Sequence, residues 1–80
     1  GRQAVPTIRA LQRRAEVILE EELRKNGAAN SDDLQEFGRR LLNKLLHYPL
    51  VRMRDRAAHG PLYVDVARDL FGLDAEEADE

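Results

Sequence analysis

Few side chains in this 80-residue sequence are suited to covalent chemistry: there is no cysteine, one serine (Ser31), one threonine (Thr7) and two histidines, His47 and His59. A hydroxyl nucleophile needs a base within hydrogen-bond reach. Ser31 and Thr7 both fall at expected helix starts, where capping or a turn accounts for them. The histidines stand 12 residues apart, in neither an HxxxH nor an HExxH spacing, and a metal would need a further ligand beside them. His47, just ahead of Tyr48 and Pro49, suits the exposed carbonyls of a helix end. Glu20, Glu21 and Glu22 suggest acid–base work, but neighbours on a helix point about 100° apart and do not converge. The glycines are scattered singly and form no phosphate-cradling loop. No catalytic, cofactor-binding or metal-binding residue is therefore expected in this chain.

What remains is a set of elements, and proline and glycine mark them out. Pro6, Pro49 and Pro61 each stand ahead of a helix-period segment, where a missing N–H costs nothing. Asn30, Ser31 and Asp32 offer a fourth helix start. Gly27, Gly60 and Gly72 sit where helices can close in a left-handed turn. The spacing predicts a long first helix from about 6 to 26, followed by three shorter ones over about 32–47, 49–58 and 61–71. The fold class is thus all-α.

The first helix carries Ile8, Leu11, Ala15, Ile18, Leu19 and Leu23 as one stripe. Glu20 with Arg24 and Glu21 with Lys25 have the favourable i,i+4 orientation. The second has Leu34, Phe37, Leu41, Leu42, Leu45 and Leu46, a stripe wider than one neighbour needs, so burial on two sides is expected. Gly38 beside it weakens the helix by about 1 kcal/mol relative to alanine, and close approach of another helix is the expected compensation. Leu50, Met53, Ala57 and Val51 are expected to face inward on the third helix. The fourth offers Leu62, Val66, Ala67, Leu70 and Phe71, with Leu73 as the apolar residue after the Gly72 cap.

Composition bounds the rest. With 42% hydrophobic and 35% charged residues, the chain makes one domain, too short for a catalytic and a cofactor domain together. A chain of this size buries only about 60% of its unfolded surface, so a partner subunit is the natural support where disulfides are absent. No apolar run reaches the roughly 18 residues of a membrane span, and lack of cysteine suits a reducing compartment, which predicts a cytoplasmic protein. The last seven residues hold five acids and no base, so 74–80 are expected to form a disordered acidic tail on a 1–73 helical domain. Segment 39–56 is basic, with Arg39, Arg40, Lys44, Arg52, Arg54 and Arg56 against Asp55. That raises nucleic-acid binding as an alternative, opposed by a sequence pI near 5.7.

Asn43-Lys44-Leu45-Leu46-His47-Tyr48-Pro49, followed by Val51-Arg52, Ala57-Ala58 and Gly60, resembles the N-K-L-L-H-x-P signature of the C-terminal domain of glutamyl-tRNA reductases. Pro6-Thr7-Ile8-Arg9-Ala10-Leu11 with Ala15-Glu16 and Glu21-Glu22-Leu23 resembles that domain's opening helix, and Leu70-Phe71-Gly72-Leu73 its closing one. Gln12 departs from the family's usual arginine, and the loop from Lys25 to Ser31 lacks its acidic run. The resemblance implies a homodimerisation module of an NADPH-dependent enzyme that converts glutamyl-tRNA to glutamate-1-semialdehyde in tetrapyrrole biosynthesis. Its cysteine nucleophile and NADPH site would lie in other domains. Leu41, Leu42, Leu45 and Leu46 are then the leading interface candidates, with Leu34, Ile8, Leu11 and Ile18 next. Asn43, Lys44, His47 and Pro49 are expected to be structural, fixing a turn into Pro49. The alternative is a small helical tRNA-binding or protein-docking module.

Overall fold

A computed structural model describes residues 4–56 and 62–73. His59, Gly60, Pro61 and the acidic residues 74–80 lie outside the described residues. Three helices are present among those described: α1 (Ala4–Lys25), α2 (Asp32–Arg56) and α3 (Leu62–Leu70). The all-α expectation holds. None of these helices is long and apolar enough to cross a membrane.

Local chemistry explains most of the ends. Ser31 caps α2, its Oγ accepting the Leu34 N–H at 3.2 Å. Gln35 fastens the preceding loop by donating from Nε2 to the Ala29 carbonyl at 2.7 Å. Gly27 closes α1 at φ 70. There the Ala28 N–H reaches the Leu23 carbonyl at 2.7 Å and the Gly27 N–H reaches Arg24 at 3.2 Å, the paired bonds of a Schellman cap. Gly72 closes α3 at φ 67, and Leu73 after it is buried, as its position predicts. α1 begins two residues before Pro6, which is free to sit in the first turn because the first four N–H groups of a helix have no intrahelical partner.

Two expectations about the helices themselves are corrected. The helix break at Pro49 does not occur: the segment expected over 32–47 and residues 49–56 of the next one form a single helix through the proline, while Ala57 and Ala58 lie outside the described residues. Pro49 removes the donor for the Leu45 carbonyl, a cost of about 3 kcal/mol. Leu46 and Met53, seven residues apart and on either side of Pro49, are both buried. The continuous helix keeps both on the same core, and their burial offsets the lost bond. α3 is also turned from its expected orientation. Val64 and Arg68 face the core, while Leu62, Val66 and Leu70 are exposed.

Arg68 is 2% exposed, and its Nη1 donates to Oγ1 of the fully buried Thr7 at 3.0 Å. Thr7 is therefore not a helix cap but the acceptor that ties α3 to α1. Truncating Arg68 to alanine removes its packed stem and orphans the Thr7 hydroxyl. A loss of roughly 3 kcal/mol is expected in urea unfolding, against about 0.5 kcal/mol or less for the exposed Arg13→Ala. Equal losses would mean that Arg68 is not anchored inside.

α1 and α2 pack along their lengths, and Gly38 marks their close approach. A Cβ at Gly38 would overlap Cδ1 of Leu19 and lie 3.2 Å from its Cδ2. Gly38→Ala should therefore gain none of the roughly 1 kcal/mol that alanine normally adds to a helix. In a Leu19→Ala background the same change should recover that gain in full. The same stabilisation in both backgrounds, read from urea midpoints, would contradict the contact. Arg39 adds a surface link across these helices, 3.3 Å from Glu16. Lys25 pairs with Glu22 at 3.9 Å rather than with Glu21. Such exposed pairs contribute at most about 1 kcal/mol each.

Candidate interaction surface

Among the described residues no cluster of three or more His, Asp or Glu side chains could hold a metal ion. Ser31 is committed to its cap. His47 is exposed on α2, its ring edge-to-face with Tyr48 at 5.6 Å. Asn43 and Lys44 are exposed beside it in mid-helix. Since α2 continues to Arg56, these three have no helix end to close, and the turn-fixing role expected for them with Pro49 is not what the backbone shows.

The notable surface is apolar. Among the described residues six apolar side chains form the buried core, Ala4, Leu11, Leu46, Met53, Val64 and Leu73, whereas thirteen large apolar residues are exposed. A lone soluble domain scatters such residues; here they are ordered. Leu34, Phe37, Leu41, Leu45 and Tyr48 on α2 are 48–70% exposed. Their spacings of three and four keep them within about 80° of helix circumference, one continuous stripe. Beyond Tyr48 the stripe runs into Arg52, whose guanidinium lies 5.8 Å from the centre of the Tyr48 ring.

Arg52 also stands at the rim of an open groove of about 790 Å³ between the second half of α2 and α3. Its walls include Pro49, Met53, Leu62, Val66, Leu70 and Phe71. Arg56 completes the rim, 5.9 Å from the centre of the Tyr63 ring. The outward turn of α3 is what creates this groove: its Leu62, Val66 and Leu70 line a cleft instead of a core.

Of the eight interface candidates, the structure brings Leu34, Leu41 and Leu45 together on the stripe. Leu42 is half-buried in the crevice facing Gln12 and Ala15 of α1. Leu11 and Leu46 are core residues, and Ile8 packs against that core. Ile18 is exposed, but on α1. Sequence reasoning placed Phe37 among the apolar positions without naming it an interface residue, and it did not single out Tyr48 or the groove. The excess width of the α2 stripe was the available signal. It resolves into two faces, one turned to α1 and one open.

Fold and surface together define an all-helical domain that exposes more large apolar side chains than it buries, the pattern of a domain that associates with another chain. The family model described as "Glutamyl-tRNAGlu reductase, dimerisation domain" matches residues 1–73, and the chain belongs to that family. Among similar proteins is the glutamyl-tRNA reductase of Ectopseudomonas mendocina (strain ymp), 41% identical over 78 residues, covering 89% of this chain and 18% of that protein. The glutamyl-tRNA reductase of Roseiflexus sp. (strain RS-1) is 44% identical over 80 residues, covering 90% of this chain and 18% of its own length. That of Marinobacter nauticus is 39% identical over 84 residues, covering 96% and 20%. The chain thus spans about a fifth of the length of the curated relatives it matches. No solved structure matches it.

Proposed function

We propose that this chain is the part of a glutamyl-tRNA reductase that joins two copies into a homodimer, with residues 1–73 as the dimerisation domain and 74–80 as an acidic tail. The observation that supports it is the open stripe Leu34, Phe37, Leu41, Leu45 and Tyr48. A two-fold axis uses one patch twice, so a single stripe serves both subunits. The whole enzyme would reduce glutamyl-tRNA to glutamate-1-semialdehyde with NADPH, an entry step of tetrapyrrole biosynthesis, in the cytoplasm. The present chain would take no part in that chemistry. NADPH does not fit here: a dinucleotide site needs a glycine-rich turn between strand and helix, whereas the glycines are single and the described residues form no strand. Cofactor and nucleophile would belong to the remaining four-fifths of the relatives' length.

Nucleic-acid binding is less well supported. Arg39 and Arg40, the densest basic pair of the 39–56 segment, are engaged by Glu16 at 3.3 Å and Glu36 at 2.8 Å. If the chain is a self-sufficient joining module, fusing it to a monomeric carrier should make the carrier dimeric by light scattering. A carrier that stays monomeric at high concentration would sink the proposal. Retention of the fusion on tRNA at low salt, lost as salt rises, would favour the alternative.

A further inference from the structure

We infer that the second copy lies antiparallel along α2, so that the acidic start of its α2 meets the arginine-rimmed groove between α2 and α3. This rests on the dimer proposed above and specifies how its two copies are arranged.

Area is the first reason. A stable interface takes about 800 Å² from each partner, spread over roughly 20–30 residues. Five side chains on one stripe fall short of that. The groove is the adjoining apolar surface, and Tyr48 and Arg52 connect the two without a break. An interface that extends along the stripe into the groove adds Met53, Leu62, Val66, Leu70 and Phe71 to the five stripe residues.

Charge decides the direction. The first turn of α2 carries Asp32 and Asp33, while its last two turns place Arg52 and Arg56 beside the stripe and the groove, with Asp55 between them in sequence. All of these side chains are exposed. Asp32 and Asp33 have no ion-pair partner among the described residues, and Arg52 and Arg56 face tyrosine rings rather than acids. The two ends of α2 are about 36 Å apart, several times the roughly 8 Å screening length of physiological salt. Each end therefore senses only the partner end placed against it. A parallel pairing sets acids on acids and arginines on arginines. An antiparallel pairing sets Asp33, at the rim of the stripe, toward Arg52 and Arg56, and opposes the two helix dipoles as well.

The chain has no cysteine, so single labelling sites are clean. Glu36→Cys, Asn43→Cys and Arg54→Cys, all exposed and away from the stripe and the groove, each receive a spin label, and the distance between the two labels of a dimer is measured by pulsed EPR. In an antiparallel pair the axial offset changes by about 3 Å per residue along α2, so the shortest distance, at position 43 near the two-fold, and the longest, at position 54, should differ by at least about 10 Å. Three nearly equal distances would overturn the antiparallel arrangement while leaving the dimer intact. A wild-type chain that is monomeric at every concentration would instead refute the dimer, and the arrangement with it. For the groove, Leu70→Glu, at a position 74% exposed in the single chain, should raise the dimer dissociation constant tenfold or more without loss of helicity. An unchanged dissociation constant would exclude the groove from the interface.

Discussion

Leu45→Asp is expected to convert the dimer into a folded monomer. Leu45 is 70% exposed in the single chain, so a carboxylate there stays solvated and the three-helix fold has little to lose. In the proposed dimer the partner would cover the same side chain, and an uncompensated buried charge costs about 3–5 kcal/mol. Two-fold symmetry introduces it twice. The dissociation constant should rise by at least about a thousandfold, since each 1.4 kcal/mol is a factor of ten. Circular dichroism should remain helical while sedimentation reports half the mass. The neighbouring Leu46→Asp makes the contrast, because Leu46 is 7% exposed in the chain's own core. That variant should unfold rather than dissociate. If Leu45→Asp stays dimeric, the stripe is not the contact.

Pro49→Ala is expected to stabilise the chain, and by more than most single changes do. Proline in a helix interior costs about 3 kcal/mol relative to alanine, through a missing hydrogen bond and a clash with the carbonyl four residues earlier. Pro49 lies within α2, so alanine should restore the bond to Leu45. Its half-buried ring also lines the groove, and loss of that packing subtracts from the gain. A net gain of about 2 kcal/mol corresponds to a rise in Tm of roughly 10 °C for a domain of this size, compared at equal protein concentration. Had the chain turned at Pro49, with the proline at the first position of a new helix, alanine there would be neutral or slightly harmful. A Tm that stays level or falls would restore the turn.

These two residues also show what was legible in the sequence. Short-range signals read correctly: Gly27 and Gly72 at positive φ, Ser31 as a cap, Leu73 behind its glycine, and Gly38 against a neighbouring helix. Each depends on a few adjacent atoms or on one close approach. Pro49 misled because a local rule met a tertiary demand, the shared burial of Leu46 and Met53. Arg68 misled for a related reason. An arginine reads as surface, and the approach of α3 to α1 is what brings its guanidinium to Thr7 inside. The interface was half legible. The α2 stripe was visibly too wide, but a list of leucines cannot say which of them turn to α1. Leu42 and Leu46 face inward, and Leu41 and Leu45 do not. The groove had no sequence signal of its own, because the apolar face of α3 looks the same whether it fills a core or lines a cleft.

Self-association of this chain is tested most directly by sedimentation equilibrium across a wide concentration range. A mass of twice the 9.1 kDa of the single chain, falling toward that value only on strong dilution, is the expected result. A well-folded species of 9.1 kDa at every concentration would contradict it and leave the exposed stripe without a partner of its own kind.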